Sequence, residues 1–155
     1  MLIGIPIALL SCGVSPRPSR DQRNEQSRPI VLTTFTVLAD MARQVAGSRL
    51  SVRSITKTGA EIHGYEPTPS DVEGAIGASL ILKNGLGLEL WADRFVRAAG
   101  NVPTVTLSDG IQPVLITEDA YAGRPNPHAW MSPKRAQLYV DRMVEAFSEL
   151  DPAGQ

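Results

Sequence analysis

Residues 30–55 read IVLTTFTVLADMARQVAGSRLSVRSI, and their patterning decides the fold. Ile30 to Phe35 is an apolar, β-branched run of the kind that forms a strand buried on both faces. Val37, Leu38, Met41, Ala42 and Val45 then recur at helical spacing, and Gly47 supplies the left-handed conformation that ends a helix. Leu50 to Ile55 reads as a second strand. Strand, helix and strand in this order make a βαβ unit, with a right-handed crossover and parallel strands.

The alternation continues toward the C-terminus. Thr56–Pro69 holds two glycines and two prolines and reads as a loop. Ser70-Asp71-Val72-Glu73 has the form of a capping box, with Ser70 as N-cap and Glu73 at N3, opening a helix that closes near Gly77. Leu80-Ile81-Leu82 is a third strand, followed by the loop Asn84-Gly85-Leu86-Gly87. Leu90, Trp91, Phe95, Val96 and Ala99 resume helical spacing until Gly100-Asn101, and Thr104 to Leu107 is a fourth strand. Residues 108–132 form a long connection with a short extended piece at Val114–Ile116. The last element is a helix capped by Ser132 with Pro133 at N1 and an apolar face of Ala136, Tyr139, Val140, Met143, Val144 and Phe147. The expected fold class is therefore α/β, a parallel sheet flanked by helices, which binds ligands beyond the carboxyl ends of its strands.

Composition narrows the function. The chain has 155 residues, 43% hydrophobic and 20% charged, a balance that suits one folded domain. Its net charge of −1 argues against nucleic acid as a partner, since a phosphate backbone demands a basic surplus. A single cysteine excludes an internal disulfide and a Cys-only zinc site. That cysteine, Cys12, follows the apolar run Leu2–Leu10 in Leu-Leu-Ser-Cys, which resembles a bacterial lipobox, although no Lys or Arg precedes the run. Residues 1–12 are thus read as a lipoprotein signal ending in the anchor cysteine. The alternative is a buried first strand with an ordinary free thiol. Residues 13–29 hold one aliphatic residue, three prolines and four arginines, too little apolar surface to offset the entropy of ordering. They read as a disordered tether reaching roughly 20–25 Å. Residues 30–155 are the folded part.

The chemistry rests on two histidines. His63 lies in Gly59-Ala60-Glu61-Ile62-His63-Gly64-Tyr65-Glu66-Pro67 and His128 in Arg124-Pro125-Asn126-Pro127-His128-Ala129-Trp130. Neutral imidazole is the commonest metal ligand, and nearby prolines restrict each loop. Both loops follow strands of one parallel sheet, which places both histidines on the ligand-binding edge. The competing constellations fail. Glu61-Ile62-His63 is not the HExxH pair of a zinc protease, Asn84–Gly87 has no Gly-Lys-Ser/Thr behind it, and no Gly-x-Ser-x-Gly elbow occurs. A zinc hydrolase with Glu61 or Glu66 as base has little support, and no catalytic residue is expected.

Taken together, His63 with Tyr65-Glu66-Pro67-Thr68-Pro69-Ser70-Asp71, Asn84-Gly85-Leu86-Gly87-Leu88-Glu89, and Asn126-Pro127-His128-Ala129-Trp130-Met131-Ser132-Pro133 are specific. The chain resembles the zinc/manganese solute-binding proteins of ABC transporters, metal-receptor lipoproteins sometimes described as adhesins. The resemblance implies the N-terminal lobe of a two-lobed receptor that captures Mn²⁺ or Zn²⁺ as transported ligand and delivers it to a membrane permease. It implies His63 and His128 as metal ligands, each oriented by a hydrogen bond from its other ring nitrogen. A further His or Glu and an Asp would come from a C-terminal lobe, so the chain is read as a fragment or as half of a split receptor. The implied location is extracytoplasmic, at the periplasm or cell surface, anchored through Cys12. Residues 117–127 contain no histidine and the Asn-Pro-His-Ala-Trp-Met-Ser-Pro wording resembles the manganese branch, so manganese is favoured. A surface adhesin or structural protein with incidental histidines is the alternative.

Overall fold

In the computed structural model, which describes residues 28–154, four parallel strands form one sheet. They are β1 (Ile30–Thr33), β2 (Ser51–Ser54), β3 (Leu80–Lys83) and β4 (Thr104–Thr106), in the order β2-β1-β3-β4. The register pairs Val31 with Val52 on one side and with Leu80 on the other, and Leu82 with Val105. The signal and Cys12 expected in residues 1–12, and all but the last two residues of the tether expected over 13–29, lie outside the described residues.

The sheet is covered on both faces, which is why its two central strands, β1 and β3, read as largely apolar runs, whereas the edge strands β2 and β4 do not. Val31, Leu80 and Leu82 point to one layer, where they meet Leu38 and Ala42 of α1 (Thr36–Ala46) and Tyr139, Met143 and Phe147 of the long helix that follows β4. Leu32 and Ile81 point to the other, against Ala75 of α2 (Pro69–Ala75) and Trp91 and Phe95 at α3 (Ala92–Ala98). The long helix, α4, spans Pro133–Leu150.

Four details differ from the sequence reading. In α1 the buried face is Leu38, Ala39, Ala42 and Ala46, while Val37 is 43% exposed. Three alanines let the helix lie close on the sheet, and at 100° per residue that face leaves Val37 on the opposite side. The capping box of α2 sits two residues earlier than Ser70/Glu73. Thr68 is the N-cap and accepts from the Asp71 amide, while the Asp71 carboxylate accepts from the Thr68 amide at 2.7 Å. Pro69 sets this register, because its fixed φ and absent N–H suit N1. Ser132 does occupy the N-cap of α4, but its side chain makes no cap bond. Its backbone carbonyl instead accepts from Arg135 and Ala136 at 2.9 and 2.8 Å. Leu90, expected on the buried face of α3, is 81% exposed, since the helix begins only at Ala92.

Strand order reverses at β1: the chain moves from β1 out to β2, then returns across it to β3. The carboxyl ends of β1 and β3 therefore border a topological switch point, where such sheets bind their ligands.

Candidate metal centre

Both histidines are presented from loops beyond the strand ends, and each loop is built the same way. After β2, Glu61 turns its carboxylate back so that one oxygen, Oε1, accepts the backbone N–H of His63 at 2.9 Å and its ring Nδ1 at 2.7 Å. After β4, Asn126 does likewise: its Oδ1 accepts the backbone N–H of His128 at 3.0 Å and its Nδ1 at 2.9 Å. An atom that receives an amide proton must be an acceptor, so in each case the ring nitrogen facing it carries the proton. Nδ1–H is the donor in both rings, so the neutral form of each carries its lone pair on Nε2.

Separate anchors hold the two loops. The indole Nε1 of Trp91 donates to the Ile62 carbonyl at 2.9 Å, and the Tyr65 ring packs 5.1 Å from that of Trp91. The Tyr65 hydroxyl then donates to Asp71 at 2.9 Å, tying the loop to the cap of α2. On the other side, residues 114–126 fold as a small hairpin: Ile116 donates to Arg124 at 2.9 Å and Asn126 to Val114 at 2.7 Å. This is the extended piece expected at 114–116. Asn84, at the end of β3, donates from Nδ2 to the Pro127 carbonyl at 3.0 Å, and Trp130 packs 4.9 Å from Phe35.

Beneath the histidines lies a buried polar hub at the switch point. Glu89 accepts from the Thr34 hydroxyl at 2.9 Å, from the Gly85 amide at 3.2 Å and from the Asn84 amide. Burial pushes its carboxyl above the usual carboxylate range, with these donors opposing the shift. The Asn84 side-chain carbonyl accepts from the fully buried Tyr139 hydroxyl, whose pKa burial raises, aided by the Glu89 charge. The first two amides of the Asn84–Glu89 loop are thus turned inward onto its own carboxylate, not outward toward a ligand. Gly85 is required there, since it holds φ +86° and a Cβ would collide with the side chains of Thr106 and Ser108.

The two imidazole rings meet with centroids 5.7 Å apart, inclined at 57°. An ion bound to imidazole sits ~2.1 Å from the nitrogen, hence roughly 3.2 Å from the ring centroid, so two rings sharing a tetrahedral ion lie roughly 5 Å apart. The observed spacing is close to that value. His128 has its pKa lowered by burial and by the neighbouring His63, which favours the neutral ring that a metal needs. The Glu61 carboxyl is held below its ordinary range by the His63 backbone bond and then by the ring bond. Among the described residues no three His, Cys, Asp or Glu side chains gather into a larger cluster. Glu61, Asn126, Asn84 and Glu89 carry roles that the sequence reading did not assign. The spacing of Glu61 and Asn126, each two residues before a histidine, was the available signal for the first two.

Comparison with known proteins gives a consistent picture. The family described as zinc-uptake complex component A, periplasmic, matches residues 31–155. The iron-binding protein YfeA of Yersinia pestis is 48% identical over 123 residues, 79% of this chain and 40% of that protein. The manganese-binding lipoprotein MntA of Halalkalibacterium halodurans is 34% identical over 148 residues, 96% of this chain and 48% of that one. Among solved structures, the Mn-bound periplasmic metal binding protein from Candidatus Liberibacter asiaticus superposes with a TM-score of 0.70 at 32% identity. That match covers 81% of this chain and 47% of the other. The chain spans less than half the length of each of these three proteins.

Proposed function

The chain belongs to the family of the periplasmic zinc-uptake complex component A, and from that premise we propose that it serves an ABC transporter as a substrate-binding component for a divalent transition metal. The observation that carries this reading is the meeting of His63 and His128, each with its Nδ1 turned to a neighbouring acceptor, at a ring spacing of 5.7 Å, close to that of two imidazoles on one ion. Its work is capture, not turnover. Two imidazoles supply two positions of a four- to six-coordinate shell, and the remaining donors come from water or from protein outside the described residues.

Manganese is favoured ahead of zinc by the wording around His128 and by the absence of histidine from residues 117–127. The iron-binding relative adds iron to the candidates. The exposed apolar side chains Val37, Leu90 and Met131 follow strand carboxyl ends, and they suit a surface that closes against further protein around the ion. Cys12 is the proposed lipid anchor, and a membrane permease the proposed partner.

Calorimetric titration of the chain with Zn²⁺, Mn²⁺ and Fe²⁺ tests the reading, using wild type, His63→Ala, His128→Ala and the double variant. Each single substitution should weaken binding at least tenfold, because a lone imidazole holds an ion poorly, and the double variant should bind nothing measurable. Unchanged affinity in both single variants would sink the assignment. The order of the three wild-type affinities ranks the candidate metals.

A further inference from the structure

The two histidine loops share one geometry and differ in one charge. Glu61 Oε1 and Asn126 Oδ1 occupy the same place, each receiving the backbone N–H and the Nδ1–H of the histidine two residues on. Yet one partner is a carboxylate and the other a neutral amide. A carboxylate on the Nδ1 side of an imidazole fixes its tautomer and ring orientation and raises the basicity of the opposite nitrogen, whereas an amide does only the first two. Free imidazole favours the Nε2–H tautomer, so a ring without such a partner must change tautomer before it can bind through Nε2.

We propose that Glu61 is a positioning residue for the captured ion, making His63 the stronger donor of the pair, while Asn126 leaves His128 the weaker and more exchangeable one. This rests on the reading that His63 and His128 take the ion. Glu61 does not need to touch the metal: its Oε1 is already engaged twice by His63.

The experiment uses the whole chain labelled with ¹⁵N-histidine, with Zn²⁺ alone as the probe. Imidazole ¹⁵N spectra of the metal-free protein should show Nδ1–H in both rings. In Glu61→Ala, His63 alone should revert toward Nε2–H. Glu61→Gln keeps an acceptor oxygen, so it should keep the fold by circular dichroism and the tautomer by NMR, yet bind Zn²⁺ about tenfold more weakly. Asn126→Asp, which places a carboxylate behind His128, should tighten binding by a similar factor. A wild-type His63 in the Nε2–H form overturns the proposal. So does a folded Glu61→Gln variant that binds Zn²⁺ as wild type does. If His63→Ala weakens binding while Glu61→Gln does not, only this inference fails; if His63→Ala has no effect, the metal reading fails with it.

Discussion

The hydroxyl of Tyr139 donates to the side-chain carbonyl of Asn84 at 2.6 Å, and so joins the longest helix to the loop that carries His128. Asn84 uses its whole side chain: the carbonyl takes Tyr139, while the amide gives to Gly85 and to Pro127, one residue before the histidine. Among the described residues no buried side-chain nitrogen or oxygen lacks a partner, so nothing nearby stands ready to replace a lost bond.

Tyr139→Phe removes that one hydroxyl and leaves Asn84 Oδ1 unpaired in the core. The expected cost is about 1–3 kcal/mol, the penalty for a buried acceptor stripped of its donor. Urea denaturation measures it. A change within error of zero would mean that water reaches Asn84 and that the relay to Pro127 carries no weight.

Gly85 and Gly87 separate crowding from backbone preference. Both hold positive φ, +86° and +78°, but a Cβ at Gly85 meets Thr106 and Ser108, whereas at Gly87 it meets nothing within 4 Å. Gly87→Ala should therefore cost about 1 kcal/mol for the left-handed backbone alone. Gly85→Ala should cost more, by a further 1–3 kcal/mol or so for overpacking, and should loosen the Glu89 hub. Equal melting temperatures for the two variants would show that the β3–β4 edge yields freely.

Much of this is legible in the sequence, and the parts that are not fail for identifiable reasons. A sheet covered on both faces needs unbroken apolar strands, so Ile30–Phe35 and Leu80–Leu82 announce themselves. Which face of α1 turns inward is harder, because Ala39, Ala42 and Ala46 carry little hydrophobic signal beside Val37 and Met41, yet win by allowing closer approach. Ser70 and Thr68 compete for the same cap, and only the fixed φ of Pro69 decides between them. Glu89 is hidden for a different reason. Nothing local tells a buried carboxylate from an exposed one when its partner Thr34 lies 55 residues away. His63 and His128 are found by topology, since both loops leave the same edge of the sheet. Their supporting residues Glu61 and Asn126 are visible only as a repeated spacing.

The cap of α2 should respond to acid. Burial works to raise the Asp71 pKa, but the Thr68 amide and hydroxyl and the Tyr65 hydroxyl outweigh it, and the net shift is downward from 3.8. A carboxyl depressed in the folded state contributes stability above its unfolded pKa and loses it as pH falls through the lower folded value. The capping bonds should therefore be intact from neutral pH down to about 4 and fail only below that. Amide shifts of Thr68 and Asp71 followed by NMR should titrate together in that acid window. Asp71→Asn should flatten the titration and cost about 1 kcal/mol. A midpoint above the ordinary aspartate range would contradict the downward shift.

Because the two histidine loops have separate anchors, they should be separable by mutation. Trp91 supports only the His63 side, through its bond to the Ile62 carbonyl and its packing on Tyr65. Tyr139 supports only the His128 side, through Asn84 and Pro127. Trp91→Phe keeps an aromatic ring in the core between Tyr65 and Phe95 but loses the indole donor. It should cost about 1 kcal/mol for the bond, with a further loss for the missing ring volume. Imidazole and amide resonances report the selectivity: Trp91→Phe should shift those of Ile62 and His63 and spare His128, and Tyr139→Phe should do the reverse. The rings already sit near the spacing for a shared ion, so each variant should weaken Zn²⁺ binding by less than removal of the histidine it supports. If either variant moves both histidines equally, the loops are one cooperative unit, and the two anchors describe static geometry without independent control of the site.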